Sequence, residues 1–190
     1  TGQPVVISVD DTNGGTAAVV PGVQPTCDGS NNFSVNLDLS SLDDDTLTIT
    51  ADHEDVVGND AIQDSVSLTK DTGAPTLDID APISTDYINI ANETSFNVNG
   101  SCSENGEEVT ISADDTNGGT AAVVPGAQPT CTAGSYSVNL DLSSLDDDTI
   151  TITADHVDAA GNPATQASVS LAKDTGAPTL DIDAPISTDY

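Results

Sequence analysis

Apolar and polar residues alternate with a period of two in short runs along the chain, and the runs are separated by clusters of Asp, Asn, Gly and Ser. Tyr136, Val138, Leu140 and Leu142 alternate with Ser137, Asn139 and Asp141, and Ile150, Ile152 and Ala154 alternate with Thr149, Thr151 and Thr153. Each run reads as a half-buried strand. The same pattern places Phe96 and Val98 on one strand, Val109, Ile111 and Ala113 on the next, and Val169 and Leu171 on the last. Strands are therefore predicted at 75–80, 95–103, 108–114, 135–142, 149–156 and 166–173, with a long loop after the first and a hairpin arm after the third. Asn117-Gly118 is expected to turn that arm, both residues taking positive φ as a tight hairpin requires. The same D-x-N-G resembles the start of a calcium-binding EF-hand loop, but the remaining ligand positions and the closing Glu are missing. Helical periodicity is absent, which makes the fold all-β.

The pattern also repeats. Residues 71–87, DTGAPTLDIDAPISTDY, recur unchanged at 174–190, and DDTNGGTAAVVPG from Asp10 recurs from Asp114. The two spacings differ by one residue just after a cysteine, where CDGSNNF faces CTAGSY; a loop absorbs such a change at little cost. A period of about 100 residues is too long for a solenoid unit and suits a self-contained sandwich. The expected architecture is a series of tandem immunoglobulin-like Greek-key β-sandwich domains. Residues 71–173 form a complete repeat, residues 1–70 a truncated one without its first strands, and residues 174–190 the first-strand region of a third. The truncated repeat is expected to borrow strands from a neighbouring chain, or to belong to a longer ordered polymer.

Charge narrows the partners. The chain has 32 Asp and Glu against 2 Lys and Arg, for a formal net charge of -30. Nucleic acid and anionic membranes both require basic surface, so neither is expected as a direct partner. No apolar run reaches the length of a membrane-spanning helix. A compact chain this acidic repels itself, and either calcium-bearing extracellular water or high salt would relieve the repulsion. Acidity as a solubility device is the plainer reading, but the acids gather at turns and repeat junctions.

Cys102 and Cys131 are the two cysteines of the complete repeat, and in an extracellular protein they suggest one disulfide, the alternative being a pair of buried thiols. Cys27 matches Cys131, and the position of its partner falls before residue 1. His53 and His156 are repeat equivalents in the sequence A-D-H and are expected at the surface, since no second histidine or cysteine cluster accompanies them. There is no nucleophile elbow, phosphate loop or H-E-x-x-H, and an enzyme is not expected.

Antiparallel strands alternate direction, which sorts the loops to the two ends of a repeat. Linker Asp71, Glu104 and Glu107 of the loop at 104–107, and Asp158 and Asn162 of D-A-A-G-N should share one end, with Asp55 and Asn59 as their equivalents in the first repeat. Asp86, the acidic run Asp146, Asp147 and Asp148, and linker Asp174 should share the other. Both sets offer oxygen ligands, which suit Ca2+ better than zinc or magnesium. Asp and Asn also make turns on their own account, so the acidic run reads equally as a solvated loop tip.

K-D-T-G-A-P-T and D-A-A-G-N, with the cysteine pair and the repeat length, resemble the immunoglobulin-like extender repeats of large secreted RTX-type bacterial adhesins. That resemblance covers the whole chain. It implies an extracellular location at the bacterial cell surface, neighbouring repeats as partners, calcium at the junctions, and a stalk that projects a distal adhesive domain. The alternative is a repeat of a salt-adapted filament or surface-layer protein, with other copies of the chain as partners.

Overall fold

Alternation becomes strand pairing in the computed structural model, which describes residues 2–14, 18–118 and 122–181. The chain divides into two units, Thr1–Gly73 and Ala74–Tyr190.

In the second unit, β-branched and apolar residues at every other position build β5 (Phe96–Ser101), β6 (Val109–Asp115), β7 (Ser135–Leu140), β8 (Thr149–His156) and β9 (Ala167–Lys173). A two-residue strand, β4 (Tyr87–Ile88), precedes them, followed by a short 3-10 helix at Glu93–Ser95. One sheet has the order β4-β9-β8-β6, and the other pairs β5 with β7. Residues 76–81 run antiparallel along β5, with Asp78 N donating to Ser101 O (3.0 Å) and Asn99 N to Ala81 O (2.8 Å). The first edge of the domain therefore serves both sheets, since β4 pairs in parallel with β9 while the other ladders are antiparallel. This is an all-β, immunoglobulin-like sandwich.

The core lies between the two layers. Val98, Leu140, Ile111, Ile150 and Ile152 are all at 1% exposure or less, and full burial of side chains of this size contributes about 1.5–3 kcal/mol each. Cys102, just past β5, is bonded to Cys131, with Cα atoms 6.0 Å apart. The bond ties the loop-rich arm to the sandwich and contributes about 3–4 kcal/mol by closing the chain between them.

In the first unit, β1 (Val5–Asp11), β2 (Thr46–His53) and β3 (Asp64–Thr69) form a sheet of order β1-β2-β3. It reproduces β6, β8 and β9 in register: Val5 faces His53 as Val109 faces His156. Residues 34–46 are identical to 137–149, yet 34–39 form no strand where 137–140 lie in β7. β7 pairs with β5, and among the described residues of the first unit nothing corresponds to 74–104. The buried apolar cluster there is Val9, Leu42 and Leu47, and Val66 is 58% exposed.

Several expectations change. Residues 75–80 lie beside β5 through isolated bridges at Leu77 and Ala81, not as a full strand. β4 falls in the stretch expected to be loop. At the arm, only Gly118 of the Asn117-Gly118 pair has positive φ (69°), so the pair is not the tight turn expected, and Ala113 bridges Val123. His156 is not at the surface: it is 2% exposed. Of the third-repeat region at 174–190, residues 182–190 lie outside the described residues.

Candidate functional site

The loops sort to the two ends of the second unit as strand direction requires. At the entry end, Thr76 N donates to the Ser103 hydroxyl (2.9 Å), beside the loop carrying Glu104 and Glu107 and the D-A-A-G-N loop after β8. Glu107, Glu108, Asp155, His156 and Asp158 line a hollow of about 270 Å³. Asp158 is buried at 7% exposure. Its Oδ1 accepts from Asn162 N (2.7 Å) and its Oδ2 from the Asn162 side-chain amide (2.9 Å), which closes the five-residue loop on itself. Burial pushes the Asp158 carboxyl up, but the bonds from the Asn162 side chain and backbone, then from Gly161 and Ala160, outweigh it and hold the group below its ordinary value. In the first unit Asp55 repeats the arrangement, accepting from Asn59 N (2.9 Å) and its amide (2.8 Å). The hydrogen bonds from Asn59 lower its carboxyl too. Asp71 belongs to the first unit, whereas Glu104, Glu107, Asp158 and Asn162 belong to the second.

The exit end is built around Lys173, one of the two Lys and Arg residues of the chain. Lys173 reaches Leu145 O (2.7 Å), Glu93 (3.2 Å) and Asp147 (3.5 Å), with its side chain 4% exposed. The acidic run then fastens the chain that leaves the sandwich. Thr175 donates from its backbone N and its hydroxyl to Asp147, each at 3.0 Å, and Lys173 N donates to Asp148 O (2.8 Å). The Thr116 hydroxyl donates to Asp148 (2.6 Å), and buried Asp115 accepts from Asp146 N (3.1 Å). The hydrogen bond from Thr175 N lowers the Asp147 carboxyl, and that from the Thr116 hydroxyl lowers Asp148. Asp174 caps a turn by accepting from Gly176 N (2.9 Å), and Asp86 does the same for Ile83 N (2.9 Å).

The first unit carries the same clamp. Lys70 reaches Asp44 (3.4 Å) and Leu42 O, while Thr72 donates its N (2.9 Å) and hydroxyl (2.8 Å) to Asp44. Asp43 N donates to Asp11 (3.1 Å). Each acidic run is thus a lock on the outgoing chain and not a free loop tip. The sequence pattern placed Lys173 at the end of the last predicted strand and assigned no role to it or to Lys70, Thr72 and Thr175. The signal was their recurrence at a fixed distance from the acidic run, Lys at +28 from Leu42 and from Leu145 alike.

Asp115 and His156 were also legible, since they continue the inward phase of Val109–Ile111–Ala113 and Ile150–Ile152–Ala154. His156 Nδ1 donates to Glu108 O (2.9 Å), while its buried Nε2 has no hydrogen-bond partner among the described residues. His53 makes the equivalent bond to Pro4 O (3.0 Å) and is half-buried. Among the described residues, no group of three or more His, Cys, Asp or Glu side chains stands close enough together to hold a metal ion. The donor chemistry at both ends is oxygen, as calcium would require.

No protein-family model matches the chain. No curated protein matches it either. Among solved structures, the chain is similar to a tetra-tandem repeat in the extending region of a large adhesion protein, with 28% identity, a TM-score of 0.43, and coverage of 89% of this chain and 42% of that one. A structure concerning host cell surface retention of a 1.5-MDa bacterial ice-binding adhesin matches at 21% identity and TM-score 0.42, over 93% of this chain and 55% of that one. The fibronectin(III)-like modules of Clostridium thermocellum CbhA match at 12% identity and TM-score 0.42, over 92% and 81%. The chain spans about two fifths and just over half of the first two of these structures.

Proposed function

We propose that this chain is a stretch of tandem structural repeats from the stalk of a large adhesin at the bacterial cell surface, a spacer that projects a distal adhesive domain and is not catalytic. The observation that carries this reading is the clamp built twice, at Lys70–Asp44–Thr72 and at Lys173–Asp147–Thr175. A clamp that fastens the outgoing chain to the unit it leaves fixes the direction of exit, which is what a spacer needs at every joint. Both cations of the chain are spent on it.

In this reading calcium stiffens the joints. Glu104, Glu107, Asp158 and Asn162 at the entry end, Asp55 and Asn59 in the first repeat, Asp86, Asp146 and Asp148 at the exit end, and the linker acids Asp71 and Asp174 are the oxygen donors that would hold it. Calcium at 100 times its dissociation constant would stabilise a site by about 2.7 kcal/mol. The rival reading is a salt-adapted filament or surface-layer repeat, which the same excess of 32 Asp and Glu over 2 Lys and Arg would suit.

Thermal unfolding of the full chain in calcium, in EDTA, and in EDTA with added sodium chloride separates the two. The stalk reading expects Tm to fall in EDTA and to stay low in sodium chloride. Recovery in sodium chloride, or no response to EDTA, would favour the salt-adapted reading.

A further inference from the structure

β6 is the end strand of the sheet β4-β9-β8-β6, and β1 is the end strand of β1-β2-β3. An end strand offers its outward N–H and C=O groups to any other strand that reaches it. In the second unit the arm after β6 occupies these groups. Val123 exchanges both backbone bonds with Ala113 (2.7 and 2.8 Å), Pro129 O accepts from Val109 N (2.8 Å), and Cys131 N donates to Glu107 O (2.9 Å). Opposite Ile111 the partner is a side chain. The Gln128 amide carries the donor and acceptor of a peptide group, and its Oε1 accepts from Ile111 N (2.8 Å) while its Nε2 donates to Ile111 O (3.1 Å).

The first unit closes β1 in the same way. Val19 exchanges both bonds with Val9 (2.7 and 2.8 Å), Pro25 O accepts from Val5 N (2.7 Å), and the Gln24 amide accepts from Ile7 N (2.8 Å) and donates to Ile7 O (3.3 Å). The segment that does this is V-V-P-G-x-Q-P-T-C, at 19–27 and again at 123–131. Its two prolines have no N–H to offer a further strand. A glutamine between them satisfies β6 without adding a residue to the ladder, so the edge is closed and no new one is made.

We propose that the arm is an edge cover that keeps β6 from pairing with the same strand of a second copy of the repeat, and that Gln128 completes it. The hazard lies in the repetition. β1 and β6, VVISVDD and VTISADD, are nearly the same strand, and tethering in one chain holds such strands at a high effective concentration. The acid excess does not protect this edge directly, since residues 109–113 carry no charge. The inference goes beyond the stalk reading and does not depend on it.

The test uses the full 190-residue chain with Cys27→Ser, so that association cannot run through that free thiol. Sodium chloride at about 0.5 M screens the net charge of -30. Gln128→Met keeps the length of the side chain and removes both bonds to Ile111. In dilute solution the Ile111 amide should then exchange about tenfold faster, the worth of one net hydrogen bond, while Ile7 stays as it was. As concentration rises, the mass read by sedimentation should move toward a dimer and the Ile111 amide should slow again. Reducing the Cys102–Cys131 bond releases the arm at its other end, and the reduced chain should associate through Ile111 in the same way. A variant or reduced chain that stays monomeric with a fast Ile111 amide would overturn the proposal, because the edge would be open and unused. A dimer in which Ile111 remains fast would overturn it too, since the contact would lie elsewhere.

Discussion

Gly100 shows how closely neighbouring segments within one layer of the second unit approach at a single residue. A Cβ there would overlap Asp78 O and stand 2.6 Å from the Tyr136 hydroxyl, which itself donates to Asp78 O (3.0 Å). Burial, then the charges of Asp80 and Asp78, push the Tyr136 phenol well above its ordinary value, so it stays a donor. Gly100→Ala should destabilise the second unit by about 1–3 kcal/mol, the usual cost of overpacking, read as a lower denaturant midpoint for that unit. The two lysines make a second residue-scale comparison. Lys173→Met leaves Glu93 and Leu145 O without their partner in a site where the lysine was 4% exposed, and should cost about 3 kcal/mol. Lys70, 16% exposed and facing an Asp44 that is 38% exposed, should lose less than about 1 kcal/mol on the same change. Acid should act through the carboxylates held below their ordinary value, Asp147, Asp148 and Asp158. Their stabilisation is complete above the unfolded carboxylate value of about 3.9 and is lost as pH falls through their lower folded values. Midpoints measured from pH 6 to pH 3 should therefore be level at first and drop below about pH 4. A midpoint that rises on acidification would show that repulsion among the other acids dominates.

At the scale of elements, the disulfide and β5 act together. Cys102→Ser with Cys131→Ser frees the arm between β6 and β7 and should cost the second unit about 3–4 kcal/mol by the loop-closure argument, while leaving the unfolding of the first unit unchanged. A loss shared by both units would mean that the bond does more than close its own loop. The strands most legible in the sequence were those whose alternation runs over several residues, such as Tyr136 to Leu142 and Ile150 to Ala154. β4 escaped because two residues cannot show a period and because Ile88 is paired with Lys173 of β9, 85 positions away. The clamps escaped for a related reason. Asp147 reads as a loop tip until Lys173 and Thr175 arrive from 26 and 28 residues on and use its oxygens. His156 was placed at the surface on its residue type, although its phase in β8 pointed inward. For the acidic residues as a set, strand direction sorts the loops that carry them but not their hydrogen-bond partners, which depend on loop geometry.

For the molecule as a whole, the two units offer a nearly matched pair of strands in different surroundings. β2 and β8, TLTITADH and TITITADH, differ at one position, and each is the middle strand between repeat-equivalent neighbours. Local sequence and ladder hydrogen bonds are thus almost the same, and what differs is the covering layer. β8 packs into a core of sixteen buried side chains, whereas the cluster described around β2 has three. Apolar burial is the main stabilising term in a small domain, so the first unit should open at a much lower free energy than the second. Native-state amide exchange reads this directly, since protected amides report the opening of the unit that holds them. The β2 amides should exchange at least about 100-fold faster than their β8 counterparts, a difference of about 2.8 kcal/mol. Equal protection of β2 and β8 in the free chain would mean that the first unit is stabilised without a second layer, and its exposed apolar face would then need a different explanation.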